Sequence, residues 1–112
     1  MKLPSDVFIA PEMLTRYLLV PQMRGDKAAF LKSAGYTLGN PEDLVRGLRA
    51  LAQQGDAILQ EDNVYGRVFE IHGQLAGPNG VTLKVRAIWM TEHLSGQTKF
   101  ITLFPDKRSR KP

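Results

Sequence analysis

The sequence predicts an α+β fold, with about three N-terminal helices packed on one face of a four-stranded antiparallel meander sheet. Three observations predict it. Apolar residues recur at helical spacing as far as Gly55, and from Asp56 onward the period changes to two. The helical segments come first and the strand candidates follow one another without a helix between them. A chain of 112 residues, 43% of them hydrophobic, is long enough for one modest core and no more.

The first helix is expected from Pro11, a residue suited to the first helical position, through Leu14, Tyr17 and Leu18 to Pro21. The second begins near Asp26, sets Ala28, Leu31 and Ala34 on one side, and stops at Gly35. The third has the strongest boundary signals. Asn40 is a good N-cap, Pro41 follows at the first position, and Glu42 and Asp43 place negative charge in the first turn, where it suits the helix dipole. Leu44, Val45, Leu48, Leu51 and Ala52 form its apolar stripe, and Gly55 ends it. Strands are expected at "AILQ", Arg67–Ala76, Val81–Met90 and Thr98–Phe104.

One turn fixes the register of the central hairpin. In "GPNG" the central pair is Pro78 and Asn79, and proline's φ near −65° excludes a turn needing positive φ at both positions. A type I turn with Gly80 left-handed, forming a bulge opposite Gly77, fits instead. The pairs are then Leu75–Leu83, Gly73–Val85, Ile71–Ala87 and Phe69–Trp89, a consistently apolar face. The other face pairs Gln74 with Lys84, His72 with Arg86, and Glu70 with Ile88. On the last strand, with Ile101 and Leu103 turned to the core, Phe100, Thr102 and Phe104 share the face of Arg86. Pairing Arg86 with Thr102 would complete a row of His72, Arg86 and Thr102.

Such a row suits RNA cleavage without a metal. Histidine transfers protons near neutral pH. Arginine holds a phosphate bidentately and stabilises the pentavalent phosphorane, and Thr102 would orient a phosphate oxygen. Phe100, Phe104 and Tyr65 are candidates for stacking on unpaired bases, with Lys84 a further contact to substrate. The plainer alternative is a solvated sheet face of ordinary composition. His93 is expected in an exposed loop, and Trp89 and Phe69 in the core. His72 and His93 with Glu70 or Glu92 lack a metal-ligand spacing, so neither a metal nor another cofactor is expected.

Composition bounds the remaining classes. The chain has no cysteine, which excludes disulfides and thiolate zinc sites. No apolar run approaches the roughly 20 residues of a membrane span, and "MKLPSDVFIAPE" lacks the apolar core of a signal peptide, so a cytoplasmic location is expected. The net charge of +4 is concentrated at the end. The tail "DKRSRKP" takes four of 15 basic and one of 11 acidic residues, leaving 11 against 10 in the body. Residues 1–105 are thus expected as one domain and 106–112 as a disordered basic tail able to raise nucleic-acid affinity.

The ordered segments "LTRYLL", "GDKAAFLKSAGYT", "YGRVFEIHGQLAGPNG", "VRAIW" and "ITLFP", spanning about Leu14 to Pro105, resemble an uncharacterised family of small bacterial domains. That family occurs as stand-alone proteins and at the C-terminal tips of polymorphic and contact-dependent toxins. The order of elements also looks like the barnase/EndoU/RelE class of metal-independent ribonucleases, by fold analogy. The family's motif matches Lys27, Tyr65, Gly66, Val85, Arg86, Trp89 and Thr102. Several members carry a His-Pro before the glycine and a histidine before the lysine, where this chain has Met23, Arg24 and Asp26. The usual tyrosine before the last proline is Phe104. His72 lies outside the motif.

The resemblance implies a small ribonuclease toxin acting on tRNA or other cellular RNA and countered by a cognate antitoxin or immunity protein. The candidate catalytic residues are Arg86, Thr102 and Lys27, which match the motif, and His72, which rests on the register alone. The alternative is a non-catalytic module that binds nucleic acid or protein through the same face.

Overall fold

The computed structural model describes residues 2–19 and 27–106. Pro21, Met23, Arg24, Asp26, the side chain of Tyr17 and residues 107–112 of the basic tail lie outside the described residues.

The first helix departs from the regular form its spacing predicts. Only Pro11–Met13 (α1) is α-helical, and Leu14–Leu18 continues as a π turn, with the Leu19 N–H donating to the Leu14 carbonyl at 2.9 Å. The wider turn puts Leu14, Leu18 and Leu19 together in the core, which a 3.6-residue period would not do for all three. Lys27–Lys32 (α2) buries Ala28 and Leu31. It is closed by the Tyr36 N–H on the Leu31 carbonyl across Gly35 at φ 94°, a left-handed stop that glycine adopts without strain.

Pro41–Gln54 (α3) is the helix the sequence marks most clearly, and Leu44, Leu48, Leu51 and Ala52 are its buried stripe. Asn40 stands at the N-cap position but makes no side-chain cap bond. Its carboxamide is used backwards, accepting from the Thr37 N–H at 2.8 Å and donating to the Gly35 carbonyl at 3.0 Å. Asn40 therefore ties the end of α2 to the start of α3.

The strands are Ala57–Asp62 (β1), Gly66–Ala76 (β2), Thr82–Glu92 (β3) and Thr98–Pro105 (β4), antiparallel in the order β1-β2-β3-β4. The fold is α+β, as predicted. The β2–β3 register is the bulged one in every pair, including His72 opposite Arg86 and Phe69 opposite Trp89. Gly80 is left-handed at φ 92°, and the Gly77 N–H donates to the Val81 carbonyl at 2.8 Å.

α3 lies close against β2. A Cβ at Gly73 would stand 2.2 Å from Leu51 Cδ1, and one at Gly55 would stand 2.4 Å from Ile71 Cγ2. Between these elements Phe69, Ile71, Leu75, Val85, Ala87, Trp89 and Leu103 form the sheet's share of the core. Leu3, Val7 and Ile9 of the N-terminal segment join it, and Phe8 adds a parallel bridge to the free side of β4 through bonds to Thr98 and Phe100. No helix among the described residues is long and apolar enough to cross a membrane.

Candidate functional site

Glu70 and His72 are two residues apart on β2 and therefore project from the same face, away from Phe69 and Ile71. β3 sets Arg86 opposite His72. β4 differs from the expected register. Arg86 faces Phe104, and Thr102 faces Ile88 instead of Arg86. The displacement is two residues: the turn between β3 and β4 sets one, pairing Trp89 with Phe100, and an irregularity at Ile101, beyond which Ile88 pairs with Thr102, adds the other. One extra residue on β4 flips the side chains before it to the opposite face. Phe100 is thereby turned inward, 4% exposed, with its ring edge-on to Trp89 at 5.3 Å between centroids. It belongs to the core, not to the open face where it was expected.

The result is two adjacent rows instead of one: His72, Arg86 and Phe104, and beside them Glu70, Ile88 and Thr102. α2 closes the cluster from the side of β4. The Lys27 ammonium donates to Thr102 Oγ1 at 2.8 Å and sits over the Phe104 ring at 4.2 Å from its centroid. The Arg86 guanidinium lies 5.0 Å from the same centroid. Two cations thus share one aromatic ring, an arrangement favoured by the ring's quadrupole. Burial lowers the Lys27 pKa from its usual range.

Two carboxylates that the sequence argument did not single out complete the site. Glu70 places Oε1 at 3.1 Å from His72 Nε2 and Oε2 at 3.0 Å from Arg86 Nη1. Asp106, just past β4, is anchored by its own N–H to the Lys84 carbonyl at 2.9 Å and places Oδ2 at 2.9 Å from His72 Nδ1. The side chains of Asp106, Glu70 and His72 are 9%, 13% and 17% exposed, so the charges act in a partly desolvated setting. The imidazole is held at both nitrogens, between two carboxylates. Glu70 was legible as a neighbour of His72 on the same face. Asp106 was counted with the tail, and its sequence position carries no signal of its contact.

Among the described residues, no set of three or more His, Asp or Glu side chains converges as metal ligands would. A groove of about 430 Å³ opens beside His72 along β2, between Gln54 of α3 and Gln74.

The remaining candidates lie apart. Lys84 neighbours the site on the same face and is exposed. Tyr65 is in the β1–β2 turn, 74% exposed and roughly 24 Å along the strand from His72 at about 3.4 Å per residue. There its carbonyl accepts from the His93 N–H at 3.0 Å. His93 is in a turn, as expected, and its Nε2 contacts Asp62 at 2.9 Å.

Fold and site together define a small α+β domain with a polar cluster of three basic and two acidic side chains on one face of its sheet. The chain belongs to the family described as Domain of unknown function (DUF6883), whose model matches residues 2–107. Among solved structures, it is similar to a chain of a contact-dependent growth inhibition toxin–immunity protein complex from Klebsiella pneumoniae 342. The TM-score is 0.69 at 15% identity, over 88% of this chain and 98% of that one. At that identity the likeness is one of fold. No curated protein matches the chain.

Proposed function

We propose that this domain is a small metal-independent endoribonuclease of the toxin kind, cleaving tRNA or other cellular RNA in the cytoplasm. A cognate immunity protein or antitoxin would neutralise it. The observation that carries the reading is the side-by-side placement of His72 and Arg86 on the sheet, with Lys27 and Thr102 brought to the same cluster from α2 and β4. The fold likeness to a chain of a toxin–immunity complex supports the toxin and partner parts of the reading.

In this reading, Arg86 and Lys27 bind the scissile phosphate, since a guanidinium and an ammonium are the groups that neutralise its charge best. Thr102 orients a phosphate oxygen, and His72 takes part in proton transfer. The groove beside His72, with the amides of Gln54 and Gln74 on its walls, is where a neighbouring nucleotide would lie. Phe104 fixes the positions of the two cations, and the partly exposed remainder of its ring is the candidate for stacking on a base. Lys84 and the basic tail add phosphate contacts beyond the cluster.

The test is expression of the wild-type chain, followed by analysis of total RNA from arrested cells and of RNA incubated with purified protein. Growth arrest with RNA cleavage, both lost in Arg86→Ala and His72→Ala, is the expected result. A wild-type chain that neither arrests growth nor cleaves RNA would sink the reading.

One observation favours a second reading, a binding module without catalysis. Glu70 and Asp106 already partner His72 and Arg86, which reduces the net positive charge offered to a phosphate. Salt-dependent RNA binding with no cleavage would mark this alternative.

A further inference from the structure

β1 forms an outer edge of the sheet, and every residue in it but Ala57 is exposed. Two of these are large and apolar: Ile58 is 53% exposed and Leu59 52%. The direction of each main-chain group follows from the β2–β3 hairpin. Gly77 turns its N–H and its carbonyl toward β3, donating to the Val81 carbonyl and accepting from the Gly80 N–H. Direction alternates along an antiparallel strand, so Glu70 and Val68 turn theirs toward β1, where they face Ile58 and Glu61. Ala57 and Leu59 therefore point their N–H and carbonyl groups outward, one residue to either side of Ile58. Among the described residues, none of these outward groups meets a hydrogen-bond partner.

An outward-facing residue on each side of a central one makes a strand complementary to itself. We propose that β1 pairs antiparallel with β1 of a second copy about a two-fold axis beside Ile58, joining the two four-stranded sheets into one. Ala57 of each copy then exchanges both main-chain bonds with Leu59 of the other. Ile58 meets Ile58 across the axis, between the bonded pairs, where facing Cα atoms stand about 4.5 Å apart. On the opposite face of the sheet, each Leu59 side chain lies against the small Ala57 of the other copy. Both exposed apolar side chains are thereby covered.

The neighbouring registers fit worse. Centring the pair on Leu59 sets Ile58 against Glu61, which the bulge at Gln60 brings next in line. Centring it on Ala57 sets Ile58 against Asp56. In the register about Ile58, Glu61 comes beside Asp56 of the second copy, where Lys2, 3.4 Å from Asp56, supplies the countercharge. The other edge of the sheet is closed to such pairing, since Phe8 bridges the free side of β4 at Thr98 and Phe100. Addition therefore stops at two copies and does not run on as a fibre. The axis stands perpendicular to the sheet, so both polar clusters lie on one continuous face. His72 is then roughly 20 Å from its counterpart, at about 4.8 Å per strand and 3.4 Å per residue.

The experiment is sedimentation velocity of the full chain from about 1 μM to about 1 mM, the range in which contacts below the standard interface size associate. Monomer passing to dimer with no larger species is the expected result. Ile58→Lys replaces an apolar pair by two ammonium groups across the axis and is expected to raise the dissociation constant about tenfold or more. The position is exposed, so this variant should keep the wild-type melting temperature. The chain has no cysteine, so Ile58→Cys carries a single thiol, placed within disulfide reach of its counterpart. Mild oxidation should link it into a covalent dimer about tenfold faster than Leu59→Cys. In this register the two Leu59 Cα atoms stand roughly 8 Å apart, beyond the limit of about 7 Å for a disulfide.

A chain that stays monomeric throughout overturns the proposal and leaves the edge of β1 for a strand of a different protein. A dimer that survives Ile58→Lys unchanged overturns it too, as does one in which Leu59→Cys links as fast as Ile58→Cys. Either result would place the contact at another register or another surface. RNA cleavage enters none of these outcomes, so the ribonuclease reading stands or falls separately.

Discussion

Arg86 Nη1 stands 3.0 Å from Glu70 Oε2, a diagonal contact between β2 and β3 that neither the direct pair His72–Arg86 nor the pair Glu70–Ile88 would announce. It holds the guanidinium in the same group of side chains as the imidazole and makes Glu70 the link between them. Arg86→Ala is therefore expected to abolish RNA cleavage while costing only about 1 kcal/mol of stability, because the guanidinium is partly exposed. Urea denaturation of the purified variant beside its cleavage assay checks both halves. A fall in stability large enough to unfold the chain would mean that the contact holds the sheet together.

Phe104 lies under both Lys27 and Arg86, so Phe104→Leu keeps apolar volume and removes the ring they share. The expected loss is about 0.5–1 kcal/mol per cation, with weaker phosphate binding as the cations lose their fixed positions. Thermal denaturation and RNA affinity at one fixed salt concentration measure the two effects. An RNA affinity equal to wild type would show that the ring does not position them.

A β-carbon at Gly77 would stand 2.0 Å from the Ala34 carbonyl oxygen, a backbone atom that cannot swing aside. Gly77→Ala is expected to destabilise the chain by about 1–3 kcal/mol, the range for forced overpacking. Gly39→Ala, whose added carbon would stand 3.6 Å from Thr37 Oγ1, is the comparison that separates crowding from the general effect of removing a glycine. Equal denaturation midpoints for the two variants would contradict the close approach.

Lys27 is held below the ordinary lysine value of 10.5 by burial, so the folded chain releases this proton at lower pH than the unfolded chain. Between the two values the unfolded state binds more protons, and stability rises with pH. The increment is complete above the unfolded value and is lost as pH falls through the folded one. Lys27→Met keeps the stem and removes the titration, so wild type should gain on the variant as pH is raised toward 10.5. The Tyr36 hydroxyl, raised by burial and by the Asp43 charge, works against stability from its ordinary value of 10.0 upward, overlapping the lysine range. It is common to both proteins and cancels in their difference. A difference in midpoint that stays flat with pH would refute the account.

How much of this was legible in the sequence depended on whether a residue's own chemistry restricted it. Pro78 restricts its own φ, and that one restriction was enough to fix the whole β2–β3 register and to put His72 beside Arg86. The irregularity at Ile101 has no glycine or proline to mark it, which hides the inward turn of Phe100; the β3–β4 turn and this irregularity each move the pairing by one residue, which sets Thr102 beside Ile88 and not Arg86. The π turn at Leu14–Leu18 was equally silent, because its spacing differs from a regular helix by a single residue. Asn40 was recognised as a residue for a helix start, but it bonds backwards to Thr37 and Gly35, a choice made by the neighbouring turn. Asp106 reaches His72 from 34 positions away, and separation of that kind is visible only once the strands are paired.

The tip of the central hairpin has a second role. Asn79 donates from its backbone to the Ala34 carbonyl at 3.3 Å and from its carboxamide to the Ser33 carbonyl at 3.1 Å, so the β2–β3 turn grips the end of α2. Among the described residues α2 has six, against the roughly 12–15 that a lone helix needs in water. Its persistence is borrowed from what it docks against, and the hairpin tip grips the end opposite Lys27. The site's second cation is therefore kept in place by contacts remote from the chemistry. Loosening that grip would withdraw an ammonium from the cluster while the strands carrying Glu70, His72 and Arg86 stay paired, which makes the residence of Lys27 a local equilibrium separate from global unfolding.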